Sequence, residues 1–339
     1  MDIDRDQFES AGDIAASMIA QLSEDKRWDG ETPISEPGVY VGISLEDYHD
    51  NTKLLDGPSV SKSSLMRLAP PLGNPKKFWS FWAHNPNRIE EEPNKAMNFG
   101  RAVHALLLGD EVFAEKFVKR LDKAPDGRAW NANNLTCRAW LKEQAEIGRT
   151  VITSDQLEQI KRMAEDAAQY DLVRMGLLNG RVERSMFWEH PSGIWLKSRP
   201  DVIPTDSGMF ADLKTTGDLD SDFLERQNGA NGYYLQAALT RMICRGLSIP
   251  FESFTIIYSL SKEYGDTDHR DVSDFDMDRG EKVIDYCMHK IREGLDTGIW
   301  EGARTYVREE RPLHLKQWTA DQIDHELKRF DKETLEAAE

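Results

Sequence analysis

The feature that most constrains this chain is a change of rhythm at Arg181. Ahead of it the pattern is mostly helical. Beyond it the order becomes strand, turn, strand, strand, helix, strand, as far as Leu260. Over 182–190 apolar residues are broken by charge, and Pro191-Ser192-Gly193 supplies a turn signal. Strands are predicted over 194–202 and 209–213, with a helical piece from Asp222 that Gly229 and Gly232 interrupt. A firmer helix is predicted from Tyr233 to Arg245, closed by Gly246 as its C-cap. The run 254–260 (Phe-Thr-Ile-Ile-Tyr-Ser-Leu) is β-branched, aromatic and uncharged, which fits a buried strand. Helices followed by this series predict an α/β domain on a mixed sheet.

In the N-terminal half, 38–43 reads as a short strand. A helix over 62–68 has Ser59 or Ser61 available as N-cap and is ended by Pro70-Pro71. Further helices are predicted over 75–84, 95–108 and 133–147. Another is opened by the Thr153/Gln156 capping box and runs to about Leu178. Residues 276–295 and the charged tail from Thr319 also read as helical. The expected organisation is an N-terminal arm over 1–37, with one short helix at 8–22, a domain over 38–300 and a charged helical tail over 301–339.

Composition narrows the class. The chain is 39% hydrophobic and 9% aromatic, enough for a sizeable core. No apolar run reaches the length of a membrane span, and the first residues lack a signal-peptide pattern, so a cytoplasmic protein with no membrane partner is expected. Three scattered cysteines fit reduced thiols and leave too few ligands for a four-cysteine metal site. The net charge of −17 argues against a generally basic nucleic-acid binder, yet clustered carboxylates are what a hard metal ion requires. The phosphate loop of nucleotide-driven enzymes and the Gly-x-Ser-x-Gly elbow of serine hydrolases are both missing.

The chemistry concentrates in Arg199-Pro200-Asp201 and Asp212-Leu213-Lys214-Thr215-Thr216. On a strand, Asp212 and Lys214 project to one face while Leu213 turns to the other and can pack into the core. Asp201 lies eleven residues before Asp212, so a hairpin-like connection can set the two carboxylates side by side. Two acids and an amine at one sheet edge suit metal-assisted phosphodiester hydrolysis. An isolated Asp-x-Lys is more often a solvated strand face, and the upstream Arg-Pro-Asp strengthens the functional reading. Lys197 and Arg199, alternating with Asp201, are candidates for phosphate contact or for salt bridges to neighbouring acids. Glu183 is a further acid on the preceding strand, with a surface role equally open.

From Gly38 to Leu260 the chain resembles the RecE-type (exodeoxyribonuclease VIII) branch of the PD-(D/E)XK superfamily, related to RecB-type nucleases. The resemblance rests on four stretches in matching order. They are Tyr48-His49 with 59–68 (Ser-Val-Ser-Lys-Ser-Ser-Leu-Met-Arg-Leu); 99–108 (Phe-Gly-Arg-Ala-Val-His-Ala-Leu-Leu-Leu); Phe187-Trp188 through Asp201 and 212–216; and 233–238 (Tyr-Tyr-Leu-Gln-Ala-Ala). The fold this implies is a central mixed β-sheet flanked by helices, with a mainly helical N-terminal half. The activity it implies is a Mg²⁺-dependent exonuclease, with Mn²⁺ able to substitute, that digests duplex DNA 5′ to 3′ from its ends. Carried over by position, Asp201 and Asp212 are metal-binding acids, Lys214 is the catalytic lysine, and His104 lies near the metal. Gln236 is the glutamine on the following helix, with Tyr233 three residues before it as a DNA contact. Taken alone, His104 is more often a structural histidine, and Gln236 an ordinary helix-face residue. One departure is Thr240, where the relatives commonly carry tyrosine. The resemblance also implies a ring-like homo-oligomer working with a single-strand annealing protein, of phage or prophage origin.

An endonuclease or nickase with the same site is an alternative, as is a non-catalytic DNA-end-binding protein on a nuclease scaffold.

Overall fold

The computed structural model describes residues 25–90, 99–103, 105, 113, 116–178, 180–182, 184–205, 207–302 and 315–336. In chain order the N-terminal part gives β1 (Lys26–Arg27), β2 (Gly38–Val41), α1 (Leu45–Asp50), β3 (Ser59–Ser61), α2 (Lys62–Leu65) and α3 (Pro75–Phe81). A helical segment at 99–103 follows, then β4 (Phe117–Lys119), α4 (Leu135–Glu146), β5 (Thr150–Ile152), α5 (Ser154–Gln169) and α6 (Asp171–Arg174). The remainder is β6 (Arg181–Val182), β7 (Ser185–His190), β8 (Ile194–Ser198), β9 (Val202–Ile203), β10 (Met209–Thr216), α7 (Ser221–Asn231), α8 (Tyr233–Leu247), β11 (Ser253–Leu260), β12 (Thr267–Asp271) and α9 (Asp274–Thr297). Residues 1–300 and 301–339 form separate compact units, and the second holds α10 (Gln317–Glu336).

The expected single sheet is divided. One five-stranded sheet has the order β1-β2-β7-β8-β3 and the other β12-β11-β10-β9-β6, with β4 and β5 as a separate pair. Both large sheets are mixed: β3 runs parallel to β8 and β10 parallel to β11, while β7 with β8 and β9 with β10 are antiparallel. The division falls inside the strand predicted over 194–202. β8 stops at Ser198, and Arg199-Pro200-Asp201 carries the chain across to the second sheet. Pro200 has no N–H to give to a ladder, so a strand is readily interrupted there.

Alternation sorts the side chains. Met186, Ile194 and Leu196 from the first sheet and Phe210, Phe254 and Ile256 from the second join one apolar cluster around α8 and α9. Phe187 and Trp195 face the other way, into a cluster with Trp28, Ile34, Tyr40 and Tyr48. Ala211, Leu213 and Ile257 meet Ala102, Val103, Ile160 and Met163 behind the second sheet. α8 has buried residues on nearly every side, Leu235, Ala237, Ala238, Leu239, Thr240 and Ile243 among them, so it is a core helix rather than an amphipathic surface one. All three cysteines are buried and free, and burial pushes the thiols of Cys244 and Cys287 up to about 12.

Several local expectations shift. The capping box at Thr153/Gln156 forms, but α5 ends at Gln169 because Tyr170 turns extended; its hydroxyl lies 2.7 Å from His269 Nδ1. Gly246 is not the C-cap of α8. The helix continues to Leu247 and closes on left-handed Ser248, while Gly246 leaves room for the Trp188 indole lying against it. From Asp25 onward the supposed N-terminal arm is bound into the body. β1 pairs with β2, Trp28 and Ile34 are buried, and the Asp25 carboxylate pairs with Arg181 and Arg184 at 2.6 and 2.7 Å. The helix expected at 8–22 and most of the one over 95–108 lie outside the described residues. No described helix is long and apolar enough to cross a membrane.

Candidate active site

β10 is an interior strand, paired in parallel with β11 over its whole length and in antiparallel with β9 at Ala211↔Val202. That single antiparallel pair puts Asp201 opposite Asp212. The Leu213 N–H donates to Asp201 Oδ2 at 2.7 Å, which pins the Asp201 carboxylate against β10. Leu213 itself is fully buried behind the sheet, as its alternation with Asp212 and Lys214 requires.

Asp212 is 1% exposed. Its Oδ2 forms an ion pair with Lys214 Nζ, and its Oδ1 accepts from Gln236 Nε2 at 2.7 Å. Burial works against the charge on Lys214, but Asp212 and Asp201 outweigh it and hold the ammonium above the ordinary lysine range. A carboxylate this deep is tolerated only with such partners. Gln236 reaches the site because Gly232 takes a left-handed conformation (φ +64°) between α7 and α8, turning the first turn of α8 toward β10.

Tyr233 opens α8 and is 6% exposed. Its ring centre lies 5.9 Å from Lys214 Nζ, and its hydroxyl accepts from Asn231 Nδ2 at 3.0 Å. What it offers the site is an aromatic face. Tyr258, opposite Lys214 on β11, backs the same corner, and burial pushes its phenol up to about 12.

Thr240, at the position where tyrosine was expected, is wholly buried. Its hydroxyl donates to the Gln236 carbonyl at 2.9 Å and lies 2.9 Å from Ser198 Oγ, linking α8 to the end of β8.

Two candidates are not where alternation along a continuous strand would put them. Lys197 is 6% exposed; its ammonium donates to the Tyr48 carbonyl at 2.6 Å and lies 5.1 Å from the Tyr48 ring centre. Burial pulls it down to about 8. It is a structural lysine of the first sheet, not a phosphate contact. Arg199, half-buried, donates to the Ile43 carbonyl at 3.0 Å, so its guanidinium is turned toward the segment before α1. The break at Pro200 is the reason for both. His104 and Glu183 lie outside the described residues; a Cβ added at Gly100 would stand 3.6 Å from Thr215 Oγ1.

One residue at the site had no role in the sequence reading. Lys62, first residue of α2, has its ammonium 5.6 Å from the centre of the same Tyr233 ring that faces Lys214. The signal that could have found it is its place directly after the N-cap Ser61, inside the Ser61/Ser64 capping box at the end of a strand, where a side chain is fixed in direction.

The donor chemistry fits a hard divalent cation. Mg²⁺ is commonly held by one or two carboxylates with the remaining positions taken by water and phosphate, and Asp201 with Asp212 supplies that pair. Among the described residues no group of three or more His, Cys, Asp or Glu side chains converges, so these two acids are the described donor set.

An interior strand presenting Asp and Lys two residues apart, faced by an Asp just before the neighbouring strand and a Gln from the second helix that follows, defines the PD-(D/E)XK class of fold and site. Comparison with known proteins agrees. Residues 79–300 match the family described as PDDEXK-like domain of unknown function (DUF3799), and the chain belongs to that family. The crystal structure of a candidate exonuclease from Eubacterium rectale is similar, with a TM-score of 0.51 and 15% identity over 81% of this chain and 96% of that one. At that identity the likeness concerns the fold. No curated protein matches the chain.

Proposed function

We propose that this protein is a divalent-metal-dependent DNA exonuclease that digests linear duplex from its ends, 5′ to 3′, leaving 3′ single-stranded tails for recombination. The observation that carries the nuclease part is the convergence of Asp201, Asp212, Lys214 and Gln236 at β10. Asp201 and Asp212 would hold Mg²⁺, or Mn²⁺ in its place, and the bound ion would supply electrophilic stabilisation of the phosphate. Lys214 then orients the attacking water or offsets charge developing on the phosphate oxygens. Gln236 fixes the Asp212 carboxylate, and Thr240 holds the helix that carries Gln236. Polarity, the single-strand annealing partner and a ring-like homo-oligomer belong to this proposal through the resemblance to RecE-type proteins.

The test is digestion of linear duplex labelled separately at each end, with Mg²⁺ and with EDTA, beside covalently closed circles. Mg²⁺-dependent release from the 5′-labelled end, with circles intact, is the expected result. Cleavage of circles would favour an endonuclease, and undiminished digestion by Asp212→Ala would remove the site assignment.

A further inference from the structure

Lys62 is half-buried, and its ammonium has neither an ion pair nor a side-chain hydrogen bond among the described residues; its aromatic neighbour is Tyr233. Its direction is set by the fold. β3 is tied to β8 in register at Ser61↔Lys197, Ser61 N–H donates to Ser64 Oγ at 2.8 Å, and α2 begins at Lys62. The far end of α2 is pressed against the start of α8, where Met66 occupies the space a side chain at Gly232 would need. Lys62 and Lys214, from opposite ends of the sequence-distant site, therefore share one ring at 5.6 and 5.9 Å.

Such an arrangement is costly in the free protein. Burial, and next the like charge of Lys214, draw Lys62 down to about 8, with Asp212 pulling the other way. An ammonium kept in this state gains most when an anion arrives. Asp201 and Asp212 are balanced by Lys214 and Lys62. A divalent cation added to that balance leaves a positive excess, which phosphate oxygens of a nucleic-acid strand would neutralise.

We propose that Lys62 is a further substrate-contacting residue, whose ammonium binds a phosphate oxygen of the DNA strand beside the scissile bond, on the Tyr233 side of the site. This rests on the nuclease reading given above. The contact is to the backbone, so it is independent of base sequence.

The experiment compares wild type with Lys62→Ala and Lys62→Arg. Affinity for a short fluorescent duplex is measured in EDTA over a series of salt concentrations, and KM and kcat in Mg²⁺. One lost charge-assisted contact should weaken Lys62→Ala binding by about tenfold. The slope of log affinity against log salt should shrink by about one. KM should rise, and Lys62→Arg should keep affinity and slope near wild type. Unchanged affinity and slope in Lys62→Ala would overturn the inference, as would a fall in kcat alone, which would mean that Lys62 acts only through Tyr233 or Lys214. If Lys62→Ala does not fold by circular dichroism, Lys62→Met, which retains the stem over Tyr233, is judged by the same criteria. A wild-type protein that cleaves DNA while Lys62→Ala matches it refutes Lys62 only. A wild type that neither binds nor cleaves duplex in Mg²⁺ refutes the nuclease reading, and this inference with it.

Discussion

Gln236 Nε2 donates to Asp212 Oδ1 at 2.7 Å, so a side chain of one helix decides which way the buried carboxylate of a neighbouring strand points. Groups that orient a metal-binding carboxylate commonly contribute 10–100-fold to affinity or activity. Gln236→Ala is accordingly expected to lower the single-turnover rate by about that factor while leaving the fold intact. Gln236→Glu should be worse, because it sets a like charge against Asp212. A Gln236→Ala enzyme with the wild-type rate would show that Asp212 needs no such restraint.

The Asp212–Lys214 pair makes a separate prediction about stability. Removing one member of a buried pair strands the other, at a cost of about 3 kcal/mol, the low end of the usual range because Lys214 keeps some solvent access. Lys214→Met should therefore unfold at lower urea than wild type, and adding Asp212→Asn should recover part of the loss. If the double variant were less stable than Lys214→Met, the pair would not be the source of the effect.

Mg²⁺ should raise thermal stability in the absence of DNA. Binding to the folded state alone contributes about 1.4 kcal/mol at ten times the dissociation constant. The rise should vanish in Asp201→Asn and Asp212→Asn, as followed by calorimetry. An equal rise in both variants would place the cation elsewhere.

Acid should weaken the protein through His84. Burial, then the Lys197 charge, lowers its imidazole to about 4, and Nε2 accepts the Ser59 N–H at 3.2 Å, a contact only the neutral ring can make. Because the folded value lies below the unfolded one of about 6.5, the stabilisation is complete above that pH and is lost as pH falls toward the folded value. Allowing for partial solvent access, about 2 kcal/mol is at stake. Urea midpoints between pH 7 and pH 4.5 should fall less steeply for His84→Gln than for wild type.

At Gly246 the limit is steric. A methyl group there would overlap the Trp188 indole that links β7 to α8. Gly246→Ala should cost about 1–3 kcal/mol despite the better helix propensity of alanine, measured as a shift in unfolding midpoint without loss of cooperativity.

What could be read in the sequence was local. Asp212, Leu213 and Lys214 follow from the two-residue period of a strand, and Asp201 from a short connection, so the structure brings these together as spacing suggests. Gln236 was marked out only by the resemblance to RecE-type proteins, since an amide on a helix face carries no signal of its own. Lys197 was misjudged because alternation assumes an unbroken strand, and Pro200 breaks it. Lys62 escaped because its neighbours, Tyr233 and Lys214, lie far along the chain, and only the packing of α2 on α8 brings them within reach. Gly246 resembles a helix stop until the indole that needs its space is known.

The eight-residue register between β10 and β11 has a further consequence. Sliding β10 by one position would send Leu213 into the solvent-facing corner and hide Asp212 behind the sheet, so the ladder acts as a ruler for the two acids. Among the described residues, the connection from β9 to β10 joins that ladder only at Gly208, whose carbonyl accepts the Glu252 N–H at 2.7 Å. It is therefore the part of this neighbourhood where added length, such as an inserted reporter peptide, should leave the carboxylates undisturbed.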